Sequence, residues 1–109
     1  MLDIREYTAP DGSGPFARWF DRLNAEAAAK VAVALTRMQQ GNLSNVKAVG
    51  SGVHEYRIDF GPGYRVYFGR DGPSLIILLG GGTKKRQQSD IRRALELWTA
   101  YKIRKRKET

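Results

Sequence analysis

Apolar and polar residues alternate through two consecutive stretches in the middle of the chain. In an extended strand neighbouring side chains point to opposite faces, so alternation sorts them. Over Val53–Phe60 one face carries His54, Tyr56, Ile58 and Phe60, and the other carries Val53, Glu55, Arg57 and Asp59. Over Tyr64–Arg70 the apolar face is Tyr64, Val66 and Phe68, with Arg65 and Tyr67 opposite. Gly61-Pro62-Gly63 supplies the turn. A three-residue loop pairs Phe60 with Tyr64, Asp59 with Arg65 and Arg57 with Tyr67. A two-residue loop would mix the faces, and a one-residue slip is strongly penalised when one face is buried. The expectation is a sheet with one apolar side and one open side showing Glu55, Arg57, Arg65 and Tyr67. Leu75–Leu79 is apolar throughout, as a strand covered on both faces should be. It leads through Gly80-Gly81-Gly82 to Lys84-Lys85-Arg86.

The remaining pattern is helical, apart from a weak alternation over Leu2–Tyr7 that predicts a first strand. Thr8–Gly14 has turn chemistry, and Pro15 suits the first turn of a helix capped by Ser13 or Gly14. Phe16, Trp19, Phe20 and Leu23 make one apolar stripe, and Asn24 breaks or bends that helix. A second helix is predicted over Ala25–Gln40, striped by Ala28, Val31, Leu35 and Met38 and stopped at Gly41-Asn42. The two should form a helical hairpin on the sheet. Leu43–Ser51 reads as a connecting loop. A last helix should begin near Gln87 or Ser89, with Ser89 as N-cap and Ile91, Ala94, Leu95 and Trp98 as its stripe. The order is β-α-α-β-β-β-α, an α+β arrangement with a mostly antiparallel sheet. One domain over 1–101 and a basic tail over 102–109, frayed at its end, are expected.

Composition narrows the chemistry. Among 109 residues there is no cysteine, which excludes disulfides and thiolate metal sites, and a single histidine, which argues against a His-based metal site or a Ser-His-Asp triad. No apolar run is long enough to span a membrane and no signal peptide is visible, so a soluble intracellular protein is expected. The net charge of +8 is unevenly placed: residues 1–83 hold nine Lys/Arg against eight Asp/Glu, and residues 84–109 hold ten against three. Such asymmetry suggests a polyanionic partner, or else a solubilising tail.

Taken in order, GN, GVHEYRI, GPGYRVYF, ILLGGGTKK and QQSDIRRA resemble the RelE/ParE toxin superfamily, and more narrowly the HigB-like addiction module killer proteins of type II toxin–antitoxin systems. The likeness covers roughly residues 2–100. It implies a RelE-like fold, a cytoplasmic toxin and a cognate antitoxin, typically a helix-turn-helix protein. Superfamily nucleases cut mRNA on the ribosome without metal or small-molecule cofactor, using the neighbouring 2′-hydroxyl. ParE-like members poison DNA gyrase instead, and a non-enzymatic RNA-binding domain is a third possibility, because fold does not fix function.

Metal-free RNA cleavage needs a base for the 2′-hydroxyl, cations for the charge growing at phosphorus and an acid for the departing 5′-oxygen. Arg57 and Arg65 share a face of adjacent strands, so two guanidinium forks could grip one phosphate. With the resemblance, they become the expected clamps. Lys84 is a third clamp or a proton-transfer group, and Glu55 and Tyr67 are further catalytic candidates. Lys85, Arg86 and Gln88 are expected to contact the RNA backbone, with Gln87 bonding substrate or capping the helix. The competing reading is a set of ordinary exposed ion pairs, Arg65 with Asp59 across the strands and Arg57 with Glu55 or another neighbour. His54 has a suitable ordinary pKa for an acid, but alternation turns it toward the packed side.

Overall fold

The computed structural model describes residues 1–108. Five strands form one sheet in the order β1-β5-β4-β3-β2, where β1 is Asp3–Glu6, β2 Val46–Gly50, β3 Val53–Ile58, β4 Tyr64–Asp71 and β5 Leu75–Thr83. Only β1 and β5 run parallel; every other pairing is antiparallel. The fold is therefore α+β, with one strand more than the sequence pattern predicts. The extra strand is β2, read from sequence as a loop. It is a mostly exposed edge strand, so its alternation is faint.

Helix α1 (Pro15–Phe20) starts with the proline after Gly14 and is shorter than its stripe suggests. Asn24 begins a helix rather than ending one: its side chain accepts a hydrogen bond from the Ala27 amide at 2.9 Å and caps α2 (Ala25–Gln39). Both helices cover one face, over Tyr56, Val66, Phe68, Ile76 and Leu78. The Trp19 ring lies so close on Gly81 that a Cβ there would fall inside the ring's contact surface.

The other face is covered too. Helix α3 (Gln87–Glu108) lays Ala94, Leu97 and Trp98 on Val53, Tyr67, Ile77 and Leu79. This overturns the expected open polar side. The α3 stripe needs an apolar surface, and Val53, Ile77 and Leu79 supply one between the polar residues. Trp98 fits because Gly69 and Gly52 present bare backbone beneath it. Helix α3 is preceded by a 3₁₀ turn, Lys84–Arg86, and Ser89 lies within the helix, its hydroxyl donating to the Arg86 carbonyl, instead of capping it. Helix α3 continues through the expected basic tail to Glu108. Tyr101 and Lys105 bind Asp71, and Arg104 donates to the Thr8 carbonyl. The last residue of the expected tail, Thr109, lies outside the described residues. No helix is long and apolar enough to cross a membrane among the described residues.

Candidate phosphate-binding cleft

The turn between β3 and β4 runs over residues 59–63, because Ile58 pairs with Tyr64. The expected three-residue loop is therefore wrong by two positions. A slip of two preserves every face but changes every pair. Arg57 stands directly opposite Arg65, and Glu55 opposite Tyr67; the expected partnering of Arg65 with Asp59 and of Arg57 with Tyr67 does not occur. Like charges directly opposite on a sheet are destabilising unless something answers them.

Arg65 is answered from within. Only 4% of it is exposed. Its Nε lies 3.5 Å from Glu55 Oε1, and its Nη1 donates to the Gly63 carbonyl at 2.8 Å. The other Glu55 oxygen accepts from Gln87 Nε2 at 2.9 Å. So the first residue of α3 holds the carboxylate, the carboxylate holds the guanidinium, and the turn fixes its tip. The Gly63 carbonyl also accepts the Lys84 backbone N–H at 3.0 Å, which ties the end of β5 to the same turn. Gly63 has φ +79°, a conformation that favours glycine, and a Cβ would meet Arg65 Nη1 at 3.3 Å.

Arg57 is different. It is exposed, and among the described residues it has no side-chain hydrogen bond or ion pair. It lines a cleft of about 610 Å³ together with Arg65, Lys84, Lys47, Tyr64 and Asp59, floored by the Gly61-Pro62-Gly63 turn. Arg57, Arg65 and Lys84 thus line one and the same cleft. Lys47 joins them from β2, and Asp59 from the turn. Sequence reading missed Lys47 because its strand was missed, and Asp59 because the wrong register spent it on Arg65.

Glu55 and Tyr67 are not at the cleft. They are 0% and 1% exposed and lie beneath α3. The Tyr67 hydroxyl is buried without a hydrogen-bond partner among the described residues. Burial, and then the Glu55 and Asp90 carboxylates, push its pKa far above the ordinary phenol value. Lys85, Arg86 and Gln88 are exposed on the 3₁₀ turn and the start of α3, but they do not line the cleft. His54 sits on the opposite face against Phe68, ring centroids 5.4 Å apart. Burial, with Arg70 nearby, holds its imidazole below its ordinary value of 6.5. No group of three or more His, Cys, Asp or Glu side chains suited to a metal ion occurs among the described residues.

Comparison with known proteins adds a family. The model of the family described as phage derived protein Gp49-like (DUF891) matches residues 18–99. An uncharacterized protein of Haemophilus influenzae is 44% identical over 80 residues, covering 72% of this chain and 81% of its own. The matched span contains α2, the sheet from β2 to β5 and the whole of the cleft.

Proposed function

Because this chain belongs to the phage-derived Gp49-like family, a RelE/HigB-type toxin family, we propose that it is the toxin of a type II toxin–antitoxin pair and an endoribonuclease acting on mRNA at the ribosome. The observation that carries the reading is the pair Arg57–Arg65, set directly opposite each other with only Arg65 neutralised from within. An unanswered guanidinium beside a fixed one, with Lys84 and Lys47 lining the same cleft, suits a phosphodiester anion that becomes a five-coordinate dianion as the 2′-oxygen attacks.

In this reading the substrate's 2′-oxygen attacks phosphorus as the bond to the 5′-oxygen breaks. The products are a 2′,3′-cyclic phosphate and a free 5′-hydroxyl. Arg57 and Arg65 hold the non-bridging oxygens, where charge grows most, and such preorganised cations commonly supply the largest share of a rate enhancement. The Lys84 ammonium donates a proton to the departing oxygen. Asp59, the carboxylate lining the cleft, takes the 2′-hydroxyl proton in place of Glu55. Glu55 becomes a positioning residue for Arg65, and Gln87 for Glu55. Lys85, Arg86 and Gln88 flank the path of the message. The chemistry needs no metal or cofactor. The protein would act in the cytoplasm, and its partner would be a cognate helix-turn-helix antitoxin.

The test is brief induction followed by mapping of message 5′ ends, with a gyrase supercoiling assay in parallel. New 5′ ends on translated messages that vanish in Arg57→Ala support the proposal. Intact messages with inhibited supercoiling would instead favour a gyrase poison. RNA binding without new ends would leave a non-enzymatic RNA-binding domain.

A further inference from the structure

A second cavity of about 280 Å³ lies on the other side of the β3 rim, between that strand and α2. It shares Asn45, Arg57, Ile58 and Asp59 with the cleft, so Arg57 and Asp59 stand on a common divide. Its far wall is cationic: Lys30 and Arg37 come from one side of α2. Neither forms an ion pair among the described residues. Lys30 Nζ sits 5.2 Å from the centre of the Phe60 ring. Phe60 in turn stacks on Tyr64 of the cleft at 6.4 Å, so an aromatic bridge runs from one cavity to the other. Val33, 48% exposed, gives this pocket an apolar wall on α2.

These features are out of place on a merely solvated helix face. Two unpaired cations, an aromatic ring accessible to a cation and an exposed valine surround a hollow continuous with a phosphate cleft. Single-stranded nucleic acid is bound by this combination: cations track the backbone and rings take the bases. We propose that the α2–β3 pocket is a second nucleotide subsite, in which Phe60 stacks on the base of a nucleotide flanking the scissile one and Lys30 and Arg37 hold its phosphate. The proposal rests on the RNA reading of the cleft and deepens it. The strand would pass over the rim at Arg57, the one cation that faces both cavities. Lys30 then has two states: over the ring when the pocket is free, and on phosphate when a base displaces it.

The experiment compares equilibrium binding of two uncleavable 2′-O-methyl RNAs, a trinucleotide short enough for the cleft alone and an octanucleotide. The variants are Lys30→Gln/Arg37→Gln, Phe60→Ala, Arg57→Ala and, as a control for removed charge, Lys102→Gln/Lys107→Gln. The subsite predicts that Phe60→Ala weakens the octanucleotide about tenfold. It predicts that Lys30→Gln/Arg37→Gln, by giving up that one phosphate, lowers the slope of its log affinity against log salt by about 0.7. Trinucleotide binding should be unchanged in both, and lost with Arg57→Ala. If the octanucleotide binds Lys30→Gln/Arg37→Gln as well as it binds the intact protein or the charge control, the subsite is overturned while the cleft stands. Equal weakening of both RNAs overturns it as well. If the intact protein binds neither RNA, the reading of the cleft itself falls, and the subsite with it.

Discussion

Arg57 and Arg65 occupy paired positions on adjacent strands, yet replacing them should have opposite consequences for stability. Arg57→Ala removes an exposed charge facing another cation, so the melting temperature should hold or rise slightly, while the message cleavage proposed above should drop by at least about a hundredfold. Arg65→Ala leaves the Glu55 carboxylate sealed under α3 without its cation, which should destabilise the protein by about 3–5 kcal/mol. Denaturant titration of Arg65→Ala beside Arg65→Met/Glu55→Leu checks this: the double variant should regain most of the lost stability and remain inactive. Loss of activity in Arg65→Ala alone is therefore a poor guide to catalysis, and Arg57→Ala is the clean probe. His54 offers a third measurement. Its pKa is lower folded than unfolded, so below its ordinary value of 6.5 the unfolded chain binds the extra proton first. Stability should fall as pH drops from that value toward the folded pKa, then level off. Melting curves at pH 7.5 and 5 should differ less for His54→Gln than for the intact protein.

The elements show which parts of the fold the chain announces and which it conceals. The stripe Phe16, Trp19 and Phe20, the cap chemistry around Pro15 and the alternation in β3 and β4 all arise within a few residues, and they place α1, α2 and the central hairpin correctly in kind. What escaped sequence reading depends on partners distant in the chain. Edge strand β2 has little to bury and becomes legible only beside β3. The α3 stripe was visible, but not which surface it would cover, so Glu55, Arg65 and Tyr67 looked open when they are roofed. The glycines are the overlooked signal: Gly52 and Gly69 make room for Trp98, as Gly81 does for Trp19. An added methyl at Gly69 would collide with the Trp98 ring, so Gly69→Ala should cost about 1–3 kcal/mol or more. Chemical denaturation measures it, and Gly72→Ala, whose Cβ would meet nothing within 4 Å but has φ +76°, separates backbone strain from collision. At the far end of α3, Lys105 first and then Tyr101 hold the Asp71 carboxyl below the usual range, and burial with the same bond pushes Tyr101 up to about 12. Asp71→Ala should therefore speed amide exchange over residues 101–108 while leaving the core amides protected.

Across the whole molecule, the cationic excess of residues 84–109 divides into two uses. Part of it fastens α3 to the body: Arg104 over Tyr7 and on the Thr8 carbonyl, and Lys105 on Asp71. Lys84 alone of that segment lines the cleft, beside cations from β2, β3 and β4. Sequence asymmetry thus pointed toward the C-terminal end, whereas convergence happens at the β3–β4 turn. On the proposed RNA reading, three or four phosphate contacts to a single strand would make log affinity fall against log salt with a slope of about −2 to −3. The parallel pairing of β1 with β5 carries a different consequence. The earliest strand made finds its register only when Leu75 onward exists, and α1 lies against the same late strand. Assembly must therefore close a loop spanning most of the polypeptide, which favours slow folding over microsecond collapse. A nascent chain halted before Leu75 would hold β1 and α1 without the strand on which both of them lie.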